Sequence, residues 1–287
     1  MDLGKPYFLW LSLAKMSAFK YTHAVVCRLA NSWKNSVGAP SNLNLEIAKK
    51  QHEEYVSILR KLNIDVVELP ADEEFPDSVY VEDTAVVCNG IALITRPGHP
   101  SRSKETETMK TILKKELELP IVEIANPKAT LDGGDVLFTG HEFFVGISER
   151  TNEAGAAAVA AAFPEYPCTP IKVADNLHLK SLITMAGPDI LCVGNSNAAQ
   201  TLLRRIERVA TFRYQTLTVP DDAAANCVYA NGALIHRSQD EFPRSAAMFE
   251  ERIAFQRYPI NYSEVAKPQA ALTCCSILIR KSKSMRL

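Results

Sequence analysis

Side chains able to do chemistry recur at nearly equal steps along this chain: the acids Glu82-Asp83, then Asp132, His178, Asn226 and Cys274. From 82 to 132, 178, 226 and 274 the steps are 50, 46, 48 and 48 residues. A cysteine attacks carbon as its thiolate, a form favoured by a nearby cation or imidazolium. A histidine shuttles protons near neutral pH, and a carboxylate on its far nitrogen fixes tautomer and orientation. Cys274, His178 and Asp132 can therefore act as nucleophile, acid–base group and orienting acid. Singly, each has a plainer reading: a core thiol, a structural imidazole, a turn residue bonding its own backbone. Their common register in a repeating unit is what joins them into one site.

Glu82 and Asp83 lie inside Val79-Tyr80-Val81-Glu82-Asp83-Thr84-Ala85-Val86. Adjacent acids entering an apolar segment are costly to bury without a cationic partner. A planar guanidinium suits them, because its N–H fork matches carboxylates. Asp77, in Phe75-Pro76-Asp77-Ser78, offers a further contact. Arg102 and Arg150 follow predicted strands; either receives a substrate carboxylate or is an ordinary charge on the approach to a helix.

The elements that must position these groups repeat as well. After each marked position come an apolar run, a turn signal, a second apolar run and a helical pattern. Ala85-Val86-Val87-Cys88 is followed by Asn89-Gly90 and Ile91-Ala92-Leu93-Ile94; Cys227-Val228-Tyr229 by Asn231-Gly232 and Ala233-Leu234-Ile235. Asn-Gly between apolar runs is a strong hairpin signal, because both residues tolerate positive φ. Val136-Leu137-Phe138 with Gly140, and Leu182-Ile183-Thr184 with Gly187-Pro188, begin the other two units. Apolar spacing of three and four residues predicts helices over 104–117, 153–163, 197–209 and 244–255. Closing strands are expected at 121–124, 171–173, 217–219 and 258–260. The opening unit has strand 24–26, helix 43–62 and strand 66–69, and lacks a first strand that 276–279 can supply. Five units sharing one unit between the chain's ends close a ring, which places the marked side chains at its centre.

Bulk properties fit an ordinary globular protein: 287 residues, 47% hydrophobic and 23% charged. A net charge of −1 argues against nucleic acid or an anionic membrane as main partner. Seven cysteines without a Cys-x-x-Cys pair suit a reducing compartment, and the expected location is cytoplasmic. The apolar run 7–14 between Lys5 and Lys15 is too short to span a bilayer. Residues 1–15 read as a disordered extension, and 16–287 as a single catalytic domain.

Val81-Glu82-Asp83-Thr84-Ala85-Val86-Val87-Cys88, Leu131-Asp132-Gly133-Gly134-Asp135-Val136-Leu137-Phe138-Thr139-Gly140, Leu177-His178-Leu179-Lys180 and Leu272-Thr273-Cys274-Cys275-Ser276 closely resemble dimethylarginine dimethylaminohydrolase. The likeness runs from about Thr22 to about Ile279 and is greater to the animal cytosolic form than to the bacterial one. It implies a pentein fold, a five-bladed α/β propeller of ββαβ repeats. It also implies hydrolysis of Nω-methylated arginine to citrulline and a methylamine, which would relieve inhibition of nitric oxide synthase.

On that resemblance Cys274 is the nucleophile, His178 the general acid and base, and Asp132 its orienting carboxylate. Glu82 and Asp83 hold the guanidinium with Asp77 assisting, and Arg102 and Arg150 bind the α-carboxylate. A lid falls near residues 31–40. Water supplies the oxygen, so no cofactor is required, and zinc is an inhibitor at Cys274. The expected partner is the small-molecule substrate alone, with the chain a monomer or weak homodimer. The family usually has Val-Asp-Gly where this chain has Pro268-Gln269-Ala270. Pro268 still offers its carbonyl to the substrate amino group but lacks an N–H, and the glycine-to-alanine change matters if φ is positive there. An arginine deiminase acting on unmethylated guanidines, or a non-catalytic methylarginine binder, are the competing readings.

Overall fold

Asn89 (φ 49°) with Gly90 (φ 77°), and Asn231 (φ 50°) with Gly232 (φ 88°), make the left-handed turns that their sequence signals predict. Each joins an antiparallel hairpin: β3 (Ala85–Cys88) with β4 (Ile91–Ile94), and β12 (Val228–Ala230) with β13 (Ala233–Arg237). The computed structural model describes residues 18–173 and 178–281; the expected extension 1–15 lies outside them.

Every blade is a three-stranded sheet whose middle strand pairs antiparallel with one neighbour and parallel with the other. The parallel partner is reached through a helix, since a parallel pair needs a crossover. In the second blade α2 (Glu105–Lys115) leads from β4 to β5 (Ile121–Glu123). The third blade comprises β6 (Val136–Phe138), β7 (Phe143–Ile147), α3 (Glu153–Ala162) and β8 (Cys168–Lys172). In the fourth come β9 (Ile183–Gly187), β10 (Ile190–Gly194), α4 (Asn197–Val209) and β11 (Gln215–Val219). After a short helix α5 (Asp222–Ala225), the fifth blade adds α6 (Pro243–Arg252) and β14 (Gln256–Ile260).

The first blade contains β1 (His23–Cys27), α1 (Leu45–Lys61) and β2 (Asp65–Leu69), and takes its third strand from the other end of the chain. That strand, β15 (Ile277–Ile279), runs antiparallel to β1 with His23 opposite Ile279. The expected ring closure is therefore observed.

Helix ends follow local chemistry. Asn44 caps α1 by accepting from the Ile47 amide at 3.1 Å, and the buried stripe Ala48, Gln51, His52, Tyr55, Val56, Ile58 and Leu59 faces the blades. Some bounds differ from the sequence expectations, and two of the differences are instructive. The fourth hairpin turns at Pro188-Asp189, with Asp189 at φ 60°, so Gly187 belongs to β9. Strand β8 begins earlier than 171 and includes Pro170, tolerated because β8 is an edge strand. Among the described residues no helix is long and apolar enough to cross a membrane.

Candidate active site

The repeating register resolves into tight turns rather than strand ends. Val81–Thr84, Gly133–Asp135, Leu179–Ser181 and Thr273–Cys275 are 3-10 turns that run into the first strands of blades two, three and four and into β15. With three residues per turn, successive side chains point about 120° apart. The Thr273–Cys275 turn thereby sends the adjacent Cys274 and Cys275 in different directions. Cys274 lines a cleft of about 110 Å³, whereas Cys275 is fully buried in the core beside Tyr55 and Tyr262.

Eight of the nine predicted site residues line that one cleft: Cys274, His178, Asp132, Asp77, Asp83, Arg102, Arg150 and Pro268. The ninth, Glu82, faces a separate axial cavity of about 160 Å³ walled by first-strand residues such as Val86, Leu137, Val228 and Ile277.

His178 Nε2 lies 2.9 Å from Asp132 Oδ2, and the other Asp132 oxygen accepts the Gly98 amide at 2.7 Å. The carboxylate is thereby fixed at both ends. On the opposite edge of the ring, Nδ1 is 4.0 Å from Asp83 Oδ1, which also accepts the Gly134 amide at 2.9 Å. The Gly-Gly pair permits this approach: a Cβ on Gly134 would sit 2.5 Å from His178 Nδ1, and one on Gly133 would sit 1.9 Å from the Glu82 carbonyl oxygen. Burial disfavours the imidazolium, but Asp83, the bonded Asp132 and Asp135 outweigh it and raise the His178 pKa to about 9. The surrounding acids therefore favour the imidazolium over the neutral ring.

Cys274 sits in the opposite state. Burial, followed by the charges of Glu82 and Asp83, pushes its thiol well above the ordinary range. An incoming cation would reverse the electrostatic part of that effect.

Arg102 is buried with its fork spread over several partners. Nη1 donates to Asp83 at 2.5 Å, Nε to Glu105 at 3.1 and 3.3 Å, and Nη2 to Glu105 and the Tyr80 carbonyl, both at 2.8 Å. Burial opposes ionisation of Asp83, yet His178, Arg102 and the Gly134 amide hold its pKa below the usual carboxylate value. Glu82 has its own cation, Lys180 Nζ at 2.5 Å, and accepts the Thr273 hydroxyl at 2.9 Å. The adjacent acids thus receive the cationic partners their burial requires, but from inside the protein and on opposite sides.

The cleft mouth is bounded by Val37 and Gly38 on one side and Pro268, Gln269 and Ala270 on the other. The segment expected as a lid opens with a 3-10 turn, Asn31–Asn35, pinned by buried Trp33, whose Nε1 donates to the Tyr80 hydroxyl at 2.8 Å. Asp77 accepts the Val37 amide at 3.1 Å, so this acid ties the 31–40 segment to the cleft wall. Positive φ falls on Gln269 (60°), not on Ala270, so the alanine carries no backbone strain.

Three further residues were not singled out from the sequence as site members. Asp135 is fully buried and accepts the Leu179 amide at 2.8 Å and the Ser148 hydroxyl at 2.7 Å, fixing the turn that presents His178. Its signal was the second acid of Asp-Gly-Gly-Asp. Asn226, marked only by register, donates to the Lys180 carbonyl at 2.9 Å and accepts the Thr273 amide at 3.0 Å, joining the histidine turn to the cysteine turn. Lys180 lay within a quoted motif, but its pairing with Glu82 spans two blades.

Asp83, Asp132 and His178 offer ligand atoms within 4.8 Å of one another, the one such grouping of His, Cys, Asp or Glu among the described residues. The Cys274 thiol lines the same cleft but lies outside that grouping.

Comparison with known proteins gives the chain's relatives. The family profile described as N,N dimethylarginine dimethylhydrolase, eukaryotic, matches residues 21–240. The putative hydrolase DDAH2 of Homo sapiens is 36% identical over 269 residues, spanning 90% of this chain and 94% of that one. N(G),N(G)-dimethylarginine dimethylaminohydrolase of Pseudomonas aeruginosa is 28% identical, spanning 80% and 87%. The solved structure of the Pseudomonas aeruginosa protein, a cysteine-to-serine mutant complexed with citrulline, superposes with a TM-score of 0.77 at 25% identity, covering 91% of this chain and 100% of that one.

Proposed function

The chain belongs to the eukaryotic dimethylarginine dimethylhydrolase family, and from that premise we propose how its cleft works. The substrate is an Nω-methylated L-arginine, hydrolysed to L-citrulline and a methylamine. One observation carries the assignment of roles: a single cleft joins a thiol, a carboxylate-held imidazolium and the acid Asp83.

The substrate guanidinium settles against Asp83. Its positive charge favours loss of the Cys274 proton to solvent, and the thiolate attacks the central guanidinium carbon. His178 gives its proton to the leaving amine, which departs and leaves an S-alkylthiouronium on Cys274. The neutral imidazole then takes a proton from water as the water oxygen adds to the same carbon. Collapse expels the thiolate, and loss of the remaining oxygen-bound proton gives the ureido group. Asp132 holds the imidazole throughout. Arg150, at the cleft wall, and the remaining reach of Arg102 receive the α-carboxylate, the Pro268 carbonyl faces the α-amino group, and Asp77 assists Asp83 at the guanidinium. Glu82 acts from behind, holding Lys180 and Thr273 beside the nucleophile's turn. Zinc would be held by Cys274 and His178 with the neighbouring acids, and would block the thiol.

Citrulline formation from asymmetric dimethylarginine by wild type, Cys274→Ser and Cys275→Ser tests this reading. Activity surviving in Cys274→Ser removes the assigned nucleophile; ammonia from unmethylated arginine in place of dimethylamine makes the chain a deiminase.

A further inference from the structure

Arg102 is shared between two buried acids, and only one of them, Asp83, lines the cleft. Glu105, the first residue of α2, is 7% exposed and engages the guanidinium through both Nε and Nη2. The arrangement is locally determined. Pro100–Arg102 forms a 3-10 turn, and Glu105 follows three residues later at a helix N-terminus, where a carboxylate is favoured. The Tyr80 carbonyl at 2.8 Å and the Asp77 carbonyl at 3.3 Å fix the Nη2 end, so the fork has one orientation.

Among Arg102, Asp83 and Glu105 one negative charge is left over, and His178, which also faces Asp83, is held by an acid of its own, Asp132. With Glu105 neutral, the whole charge of Arg102 would fall on Asp83, and the cleft would lose its attraction for a cationic ligand at that point. We propose that Glu105 is a positioning residue that keeps Asp83 electrostatically available: it takes up the charge of Arg102 from outside the cleft, so that Asp83 can hold the substrate guanidinium. This rests on the substrate class proposed above.

Citrulline provides the control, because it keeps the amino-acid end of the substrate but carries a neutral ureido group. Calorimetric dissociation constants for asymmetric dimethylarginine and for citrulline are compared in Cys274→Ser and in Cys274→Ser with Glu105→Gln. The methylarginine constant is expected to rise about tenfold or more, and the citrulline constant to stay within about threefold. Equal weakening of both ligands assigns Glu105 a merely structural role and overturns the proposal, as does no change in either. Glu105→Asp keeps the charge, so the ratio of the two constants should stay within about threefold of the parent even if both ligands weaken; collapse of that ratio overturns the proposal if Glu105→Gln does not fold. Turnover of methylarginine by wild type is measured alongside, and its absence would remove the substrate class independently of the ratio.

Discussion

Glu82 and Asp83 are neighbours in the chain, yet they serve opposite sides of the ring's centre. Asp83 faces the cleft with His178 and Arg102; Glu82 faces the axial cavity with Lys180 and Thr273. Cys274 and Cys275 divide in the same way, one to the cleft and one to the core. Both divisions come from 3-10 turns, whose steep rotation sends consecutive side chains in different directions. Adjacency in sequence therefore marks a boundary here, not a shared role. The cleft side carries the polar chemistry, and the axial side supports it with an internal ion pair beneath mostly apolar walls.

The sharpest test of this boundary is at the cysteines. Cys274→Ser should lower kcat for citrulline formation by about ten-thousandfold or more, while Cys275→Ser should keep activity within about tenfold. Comparable losses in both would erase the distinction.

Next come the acids. Asp83→Asn should raise KM for methylarginine by about a hundredfold, because a charge-assisted contact to the guanidinium is lost. Glu82→Gln should change KM less than about fivefold but cost about 1–3 kcal/mol in denaturant unfolding, because the partly buried Lys180 loses its charged partner. A KM rise in Glu82→Gln matching that of Asp83→Asn would place both acids on the substrate.

The third test is pH. His178 is raised from 6.5 to about 9, so the folded state binds a proton that the unfolded chain releases in this interval. Its stabilising contribution is complete below about 6.5 and is lost as pH rises through about 9. Melting curves of wild type and His178→Gln should converge across that window. For turnover, kcat should decline near the upper value as the proton donor is lost, and Asp132→Asn should bring that decline to lower pH.

The smallest effect is expected at the mouth. Gln269→Gly should stabilise the protein by no more than about 1 kcal/mol, because the left-handed φ of 60° no longer strains a side chain. Ala270→Gly has no such strain to relieve, and thermal melts should separate the two variants.

Much of this architecture was legible in the sequence because it rests on local chemistry. Asn-Gly pairs set two hairpins, Asn44 starts α1, and helix periodicity placed α4 at Asn197–Val209 as expected. The missing strand of the opening unit was legible as well, since ring closure needs a donor from the other end. Register gathered Cys274, His178 and Asp132 without telling which way each side chain turned. That direction depends on a change from extended chain to 3-10 turn that apolar periodicity does not encode. The partners of the acids were also hidden. Lys180 meets Glu82 across two blades, and Glu105 reaches Asp83 only through Arg102. The first pairing is fixed by how blades meet rather than by spacing along the chain; the second depends on the Arg102 turn folding back onto Asp83 within one blade.

The pairing of β1 with β15 has a consequence for how this protein comes into being. On the ribosome, β1 emerges early and waits with one edge open until the last strand is made, because domains begin to organise as synthesis proceeds. Cys274 travels two residues ahead of Ser276 and the strand that seals this seam. Joining residues 23 and 279 demands the longest loop closure in the fold, a step that high contact order makes slow. The Cys274 sulfur, the proposed nucleophile, thus reaches His178 in the same event that completes the ring. A chain not yet made past β14 holds the acids and the imidazole but not Cys274, so on the proposed mechanism the onset of hydrolysis in a refolding or translation time course should report the closing of the seam.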